Sequence, residues 1–449
     1  MNPYIQYMYS YPHKTAYGPL FGVNLKDYRE RLGGPGHGLY LHLPFCQSKC
    51  GYCNLFSVTG QTERAVDRYL DTVKGQMEQY REILSPVKTG FSSFTIGGGT
   101  PLLLTEKQLE KVFAMTEASF PLEENREIVI ETAPNQTTRG KLAVLKAAGA
   151  TRVSMGIQSF REEELKVLRR NHSADRAREG VKLLKEFHFP CMNLDFIYGI
   201  PGQSVNSLLE SLKEALEYDP EEIFLYPLYV KHGAGLERDV REGMVLEPEK
   251  AMAEYEAGAE YLDRMGYRQD SMRRFVRQRE GDREFSDCGF SSSLALGCGG
   301  RSYVGNLHFC TPYAITRKDC LRELEAFENT VDFARITHGI FLSEDEEKRR
   351  YVIRHLLIHP GLPAGQYRQR FGTVADEDYP VLTQWMEEGL LACHGDYLRL
   401  TKKGMGLSDY LGPKLISPYI SRRMEAWDEG HRQDDRQDHG SLPGKFKKL

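Results

Sequence analysis

The pattern of apolar and polar positions changes character twice along the chain. Between residues 39 and 226 short β-type runs alternate with helical ones. Residues 39–43, 94–96, 127–131, 152–156, 193–197 and 222–226 read as strands rich in Leu, Ile, Val and Phe. Residues 105–119, 137–148, 161–169, 173–187 and 204–217 carry apolar positions at helical period. Repeated βα units of this kind predict an α/β fold with a parallel sheet. Polar and glycine-rich motifs recur just after the predicted strands, at the sheet edge where α/β proteins bind ligands.

The flanks follow other rules. Residues 1–38 are expected to be irregular. They carry Tyr4, Tyr7, Tyr9, Tyr11 and Tyr17 and the run Gly33-Gly34-Pro35-Gly36, and predict an arm laid over the rest. Residues 39–245 form the predicted core. Residues 246–344 open with a helical pattern over 248–265, continue through a segment rich in Arg, Gly and Ser, and are expected to complete a substrate cavity. Residues 345–424 read as three helices and a short hairpin, with a helix opening at Tyr379-Pro380 and a wing strand at 397–401. This is the grammar of a winged helix. It carries no basic recognition stripe, so packing rather than nucleic-acid binding is the predicted role. The charged, polar tail, 425–449, is expected to be disordered.

Composition narrows the function classes. The chain balances 59 basic against 63 acidic side chains for a net charge of −4, which argues against a protein that neutralises phosphate backbones. No apolar run of about 18 residues is present, so no membrane helix is predicted. The first residues lack a charged region followed by an apolar one, so no secretory signal is read and a cytoplasmic location is expected. The nine cysteines are an odd number. Cys191, Cys288, Cys298, Cys310, Cys320 and Cys393 are scattered, and most are read as buried free thiols, with Cys298 and Cys310 set apart by their glycine-rich surroundings.

The other three, Cys46, Cys50 and Cys53, fall within eight residues as C-x3-C-x2-C. A turn at this spacing aims three sulfurs at one point. Three thiolates ligate three irons of a four-iron cube and leave the fourth open for chemistry. Zinc is the alternative. It wants four N or S ligands, and here no second cysteine pair lies nearby and His42 is the one fourth candidate. Gly97-Gly98-Gly99 after a strand lets backbone amides approach a ligand, or makes a tight turn. Glu131 reads either as a ligand contact or as a helix cap. Arg170 by itself reads as a surface charge on the helix after Gln158.

Together these motifs resemble a family. Tyr40-Leu41-His42-Leu43-Pro44-Phe45-Cys46, Gly97-Gly98-Gly99-Thr100-Pro101, Gly156-Ile157-Gln158-Ser159-Phe160 and Asp195-Phe196-Ile197-Tyr198-Gly199-Ile200-Pro201-Gly202 are similar, in order and spacing, to the radical S-adenosylmethionine (SAM) superfamily. Within it they resemble the subfamily typified by oxygen-independent coproporphyrinogen III oxidase, which includes haem chaperones and class C radical methyltransferases. The resemblance implies a partial (β/α)6 barrel with an N-terminal arm and a helical, winged-helix-like C-terminal domain. It implies that Cys46, Cys50 and Cys53 hold a [4Fe–4S] cluster, and that Tyr40, Tyr52, Gly98, Gly99, Thr100, Glu131, Gln158, Arg170 and Asp195 surround SAM, of which one or two molecules bind. Tyr52 would lie against adenine, Glu131 at a polar end of SAM, Arg170 on its carboxylate, and Gln158 and Asp195 at ribose hydroxyls or a second ligand.

The activity implied is reductive cleavage of SAM to a 5′-deoxyadenosyl radical, then hydrogen abstraction from an organic substrate such as a tetrapyrrole. Oxidative decarboxylation is the leading outcome. Methyl transfer with two SAM molecules, or haem carriage with little catalysis, are the alternatives. A flavodoxin- or ferredoxin-type reductant is the implied protein partner. No catalytic residue is assigned. The Tyr9-Ser10-Tyr11-Pro12-His13-Lys14 arm and the segments with Arg273 and Arg301 resemble parts that face the substrate in this branch, each arginine reading either as a carboxylate binder or as a structural ion pair. Two departures stand out. Leu55 occupies the position of the oxidase's further cysteine, and residues 286–293 lack the haem-chaperone segment. The chain thus resembles a branch distinct from both.

Overall fold

The computed structural model describes residues 2–438 apart from 7, 9, 232 and 279–290. Tyr7, Tyr9, Cys288 and most of the 286–293 segment lie outside the described residues. Among those described, no helix is long and apolar enough to cross a membrane.

Six strands form the parallel heart of the sheet: β1 (Gly34–Leu43), β2 (Thr89–Gly98), β3 (Leu122–Thr132), β4 (Arg152–Gln158), β5 (Cys191–Tyr198) and β6 (Glu222–Pro227). Each is hydrogen-bonded in parallel to the next. The strand centres carry the apolar side chains of the core, such as Leu39, Leu41, Phe94, Ile96, Ile128, Ile130 and Val153. The predicted strands fall inside the observed ones and are extended by residues whose side chains face less of the core.

The crossovers are helices α1 (Glu63–Leu84), α2 (Glu106–Ser119), α3 (Arg139–Ala147), α4 (Ala174–Phe187) and α5 (Val205–Leu216), with a short helix Glu162–Val167 before α4. Sequence reading passed over α1, although its signals are present. The Thr62 side chain caps it by accepting from the Ala65 amide, and Val66, Tyr69, Leu70, Val73, Met77 and Tyr80 make one buried face.

The sheet continues on both sides to thirteen strands without closing. Ser293–Leu296 pairs in parallel with β1. Arg301–Val304, Leu307–Cys310 and Arg335–Phe341 then meander antiparallel, and Gly18–Asn24 forms the edge. At the other end Arg274–Arg277 and Tyr267–Gln269 pair antiparallel onto β6. The expectation of an irregular arm is therefore corrected: residues 18–24 pair across more than three hundred positions of sequence, which no local pattern reveals.

A second core lies under the C-terminal elements. It is built by helices Glu344–Leu356, Ala364–Phe371 and Val381–Glu387 and a three-stranded sheet of Leu362–Pro363, Leu391–His394 and Tyr397–Leu400. Trp385, Tyr367 and Leu382 are buried there, together with Met8, Tyr11, Ala16 and Tyr17 of the arm. The arm is thus part of this core. The Tyr11 hydroxyl donates to Glu346, whose other oxygen accepts from the Ser417 hydroxyl at 2.5 Å.

The disorder predicted for residues 425–449 is corrected for 425–438, while 439–449 lie outside the described residues. Residues Pro418–Asp438 form a helix, and the Arg423 Nε atom donates to the Ala16 carbonyl at 2.5 Å. The composition misleads because, over residues 421–430, Ser421, Arg423, Met424 and Trp427 are partly buried while Arg422, Glu425, Ala426, Asp428, Glu429 and Gly430 are exposed and free to be polar.

Candidate active site

All twelve residues singled out from sequence reach the wall of one cavity of about 1510 Å³ at the C-terminal edge of the parallel strands. The loop after β1 brings Cys46, Cys50 and Cys53, all free thiols. It is held from two sides. The Cys53 amide donates to the Cys50 carbonyl at 3.2 Å, closing the turn, and the Gly51 amide donates to the Leu168 carbonyl at 2.9 Å. The Thr100 hydroxyl lies 3.7 Å from the Cys46 sulfur, and Arg170 Nη1 donates to the Cys50 sulfur at 2.9 Å.

Arg170 is not on a helix, contrary to the sequence reading. The short helix stops at Val167, and Arg169 adopts a left-handed backbone with φ 53°. That reversal turns Arg170 inward, where Nη2 donates to the Gly156 carbonyl at 2.7 Å and Nη1 approaches the Tyr52 hydroxyl at 3.4 Å. Burial works against its charge, but Tyr52 and the thiols outweigh it and the guanidinium stays firmly protonated.

The glycines after β2 are a close approach, not a generic turn. A Cβ on Gly98, whose φ is +118°, would sit 2.8 Å from the His42 ring. On Gly99 it would lie 2.6 Å from the Phe45 carbonyl and 2.9 Å from the Cys46 sulfur. The Gly99 and Thr100 amides donate to the carbonyls of Leu43 and Phe45, both at 2.8 Å, which locks this turn against the cysteine loop.

Glu131 accepts from the Gly98 amide at 3.1 Å and reaches the open cavity. The protein that encloses it pushes its carboxyl up to about 7. Asp195 lies in the middle of β5, not at its end, and accepts from Asn193 Nδ2 at 2.7 Å and Ser154 Oγ at 3.4 Å. Burial raises it to about 6. Gln158 ends β4 with φ 74° beside a register slip, a strained conformation that is uncommon outside glycine.

His42 is committed elsewhere. Its Nε2 lies 2.9 Å from the Phe56 carbonyl and its Nδ1 3.2 Å from the Tyr40 hydroxyl. Among the described residues no group of three His, Cys, Asp or Glu side chains is arranged around a single metal ion. With His42 engaged by Phe56 and Tyr40, the donors that the loop itself offers are three thiols, the soft ligands that iron–sulfur clusters use.

The two arginines set apart in the sequence have structural partners. Arg273 is buried in an ion pair with Asp409. Arg301 Nη1 donates to Ser10 Oγ at 2.7 Å and to the Pro12 carbonyl at 3.1 Å, fastening the arm. Sequence reading missed how many arm residues reach the cavity: Lys14, for example, donates to the Gly299 carbonyl at 2.6 Å. Of the scattered thiols Cys298, Cys310 and Cys320 are buried, while Cys191 is half-buried and Cys393 exposed.

The radical SAM superfamily matches residues 40–215 and the HemN C-terminal domain matches residues 342–407. The heme chaperone HemW of Mycobacterium tuberculosis is 29% identical over 397 residues, covering 86% of this chain and 96% of that protein. The oxygen-independent coproporphyrinogen III oxidase of Synechocystis is 26% identical over 421 residues, covering 88% of each. The solved structure of coproporphyrinogen III oxidase (HemN) from Escherichia coli superposes with a TM-score of 0.79 at 22% identity, over 92% of this chain and 97% of that one, and shares its fold.

Proposed function

The chain belongs to the radical SAM superfamily and carries a HemN C-terminal domain, and from that premise we propose that it generates a 5′-deoxyadenosyl radical and abstracts hydrogen from a large, flat, anionic substrate of the tetrapyrrole class, leading to oxidative decarboxylation. The observation that carries the substrate reading is the cavity. At about 1510 Å³ it exceeds the roughly 300–1,000 Å³ of ordinary small-molecule pockets. It has room for SAM and a second large molecule. Its margin carries Lys14 and Lys231 beside Tyr229, Tyr303 and Tyr313, groups that suit carboxylates and flat rings.

A [4Fe–4S] cluster with SAM supplies the one-electron cleavage that yields the radical. This chain's residues do the rest. Cys46, Cys50 and Cys53 are the cluster ligands. The Arg170 guanidinium and the Thr100 hydroxyl lie against the sulfurs of Cys50 and Cys46 and orient them. Gly98 and Gly99 pack the strand end directly against His42 and the cysteine loop and would let backbone amides approach the methionyl end of SAM. Glu131 and Asp195 would accept hydrogen bonds from its amino group and ribose, Gln158 and Tyr40 would complete the polar wall, and Tyr52 would offer a ring to adenine.

Two other outcomes have their own support. Cavity volume also admits a second SAM, as methyl transfer requires. Similarity to heme chaperones supports carriage of haem. Anaerobic reconstitution separates all three. Radical chemistry requires about four iron and four sulfide per chain, as one cube holds, and 5′-deoxyadenosine on adding dithionite and SAM. Methyl transfer adds S-adenosylhomocysteine. Carriage gives a Soret band with haem and no 5′-deoxyadenosine. A chain that binds no iron overturns the reading.

A further inference from the structure

One stretch of the cavity wall comes from the helix Pro418–Asp438. Met424, Trp427 and Asp428, spaced i, i+3, i+4, all line the cavity and so share one face of that helix. Two contacts hold the face in place. Arg423 donates to the Ala16 carbonyl of the arm. The Trp427 ring lies 5.2 Å from that of Tyr313. Tyr313 in turn donates its hydroxyl to the Asn54 carbonyl at 3.1 Å, one residue past Cys53, and meets the His13 ring edge-on at 5.6 Å. A run of three rings, Trp427, Tyr313 and His13, therefore leads along the wall to the cysteine loop, with the Lys14 ammonium 6.0 Å from the middle one. Aromatic faces flanked by cations form a surface for a flat anion.

We propose that Trp427 is a substrate-binding residue, and that the C-terminal helix is a wall of the site that sets its preference for flat ring systems. This rests on the substrate class proposed above, but not on which reaction follows. The helix is polar on its outer face because that face meets solvent, and it places its one tryptophan where a ligand can cover it.

The test uses the full-length, cluster-loaded chain and coproporphyrin III as a stable flat probe, followed by its Soret band. Trp427→Ala should weaken binding about tenfold. Trp427→Phe, which keeps a ring, should stay within about threefold of wild type. Ala426→Gly weakens the same helix from its exposed side without touching the cavity, and should bind within about twofold of wild type. Production of 5′-deoxyadenosine from SAM without substrate should be equal in wild type and Ala426→Gly. Unchanged binding by Trp427→Ala overturns the proposal, as does equal weakening by Ala426→Gly, which would make the helix a structural support only. A wild-type chain that produces 5′-deoxyadenosine but binds no porphyrin overturns both the flat-ring class and this wall. Loss of 5′-deoxyadenosine in wild type counts against the radical reading itself.

Discussion

The Arg170 guanidinium lies 2.9 Å from the sulfur of Cys50, and its other nitrogen holds the Gly156 carbonyl at the end of a neighbouring strand. One residue therefore couples the cysteine loop to the sheet and puts a fixed positive charge beside Cys50, a proposed cluster ligand. A charge there would stabilise the more negative, reduced cluster. Arg170→Met should lower the cluster's reduction potential by about 60 mV, equivalent to about 1.4 kcal/mol for one electron. Redox titration followed by electron paramagnetic resonance reads the shift, and iron content shows whether three thiolates still hold the cluster. A potential unchanged in a fully loaded variant would mean that Arg170 acts only on the backbone.

Gly99 tests the close approach directly. A methyl group there meets the Phe45 carbonyl at 2.6 Å and the Cys46 sulfur at 2.9 Å. Neither is a flexible side-chain end, so the cysteine loop itself must move. Gly99→Ala should reduce iron bound after reconstitution by about half or more while the far-ultraviolet circular dichroism stays that of wild type. Gly60→Ala is the control. It places alanine at φ +73° with nothing within 4 Å, so it should lower stability by about 1 kcal/mol and leave iron content intact.

What the sequence revealed and what it hid divide along physical lines. The six strands were legible because each buries apolar residues at its centre, and the cysteines and Gly97-Gly98-Gly99 were legible because their chemistry is carried by residue type. Arg170 was misplaced because the helix it was assigned to ends two residues before a left-handed Arg169, a conformation that arginine does not advertise. The edge strand Gly18–Asn24 depends on a partner, Arg335–Phe341, that is remote in sequence. The C-terminal helix was hidden by its own composition, since Met424 and Trp427 are sparse marks among charges. The arm's tyrosines suggested a cover. That Tyr11 and Tyr17 are core residues of the C-terminal unit follows only from the three-dimensional packing.

Acid should destabilise the protein through its buried histidines. His172 donates Nε2–H toward the Ile157 carbonyl at 3.1 Å, while its Nδ1 is buried without a hydrogen-bond partner. Burial first, then the Arg170 charge, lowers its pKa from 6.5 to about 3. Between those values the unfolded chain binds the proton and the folded one does not. Stability is therefore fully present above pH 6.5 and is lost as pH falls below it, by up to about 1.4 kcal/mol per pH unit. Glu131 and Asp195, whose pKa values are raised, act with the opposite sign, but both reach the open cavity where water weakens the effect. Urea unfolding of the cluster-free protein at pH 7.5 and 5.5 should show His172→Gln losing about 1 kcal/mol less than wild type over that interval. Parallel losses in the two proteins would show that His172 takes up its proton without unfolding.

The buried pair Arg273–Asp409 is the junction of the molecule. Asp409 is fully buried and accepts from the Arg273 guanidinium, from the Tyr229 hydroxyl at 2.5 Å and from the Met8 amide at 3.3 Å. One carboxylate thus joins the sheet extension, the loop after β6, the arm and the C-terminal unit. Removing its charge takes the carboxylate partner from a buried guanidinium, so Asp409→Asn should destabilise the fold by about 3 kcal/mol. Arg273→Met should cost less, because Tyr229 and Met8 still donate to the carboxylate left behind. The double variant Arg273→Met/Asp409→Asn removes both charges and should regain about 1–3 kcal/mol relative to the sum of the single changes. Urea unfolding of the four proteins closes the cycle. Additive losses would mean that the two charges do not depend on one another, and Arg273 would then be available to a substrate carboxylate instead.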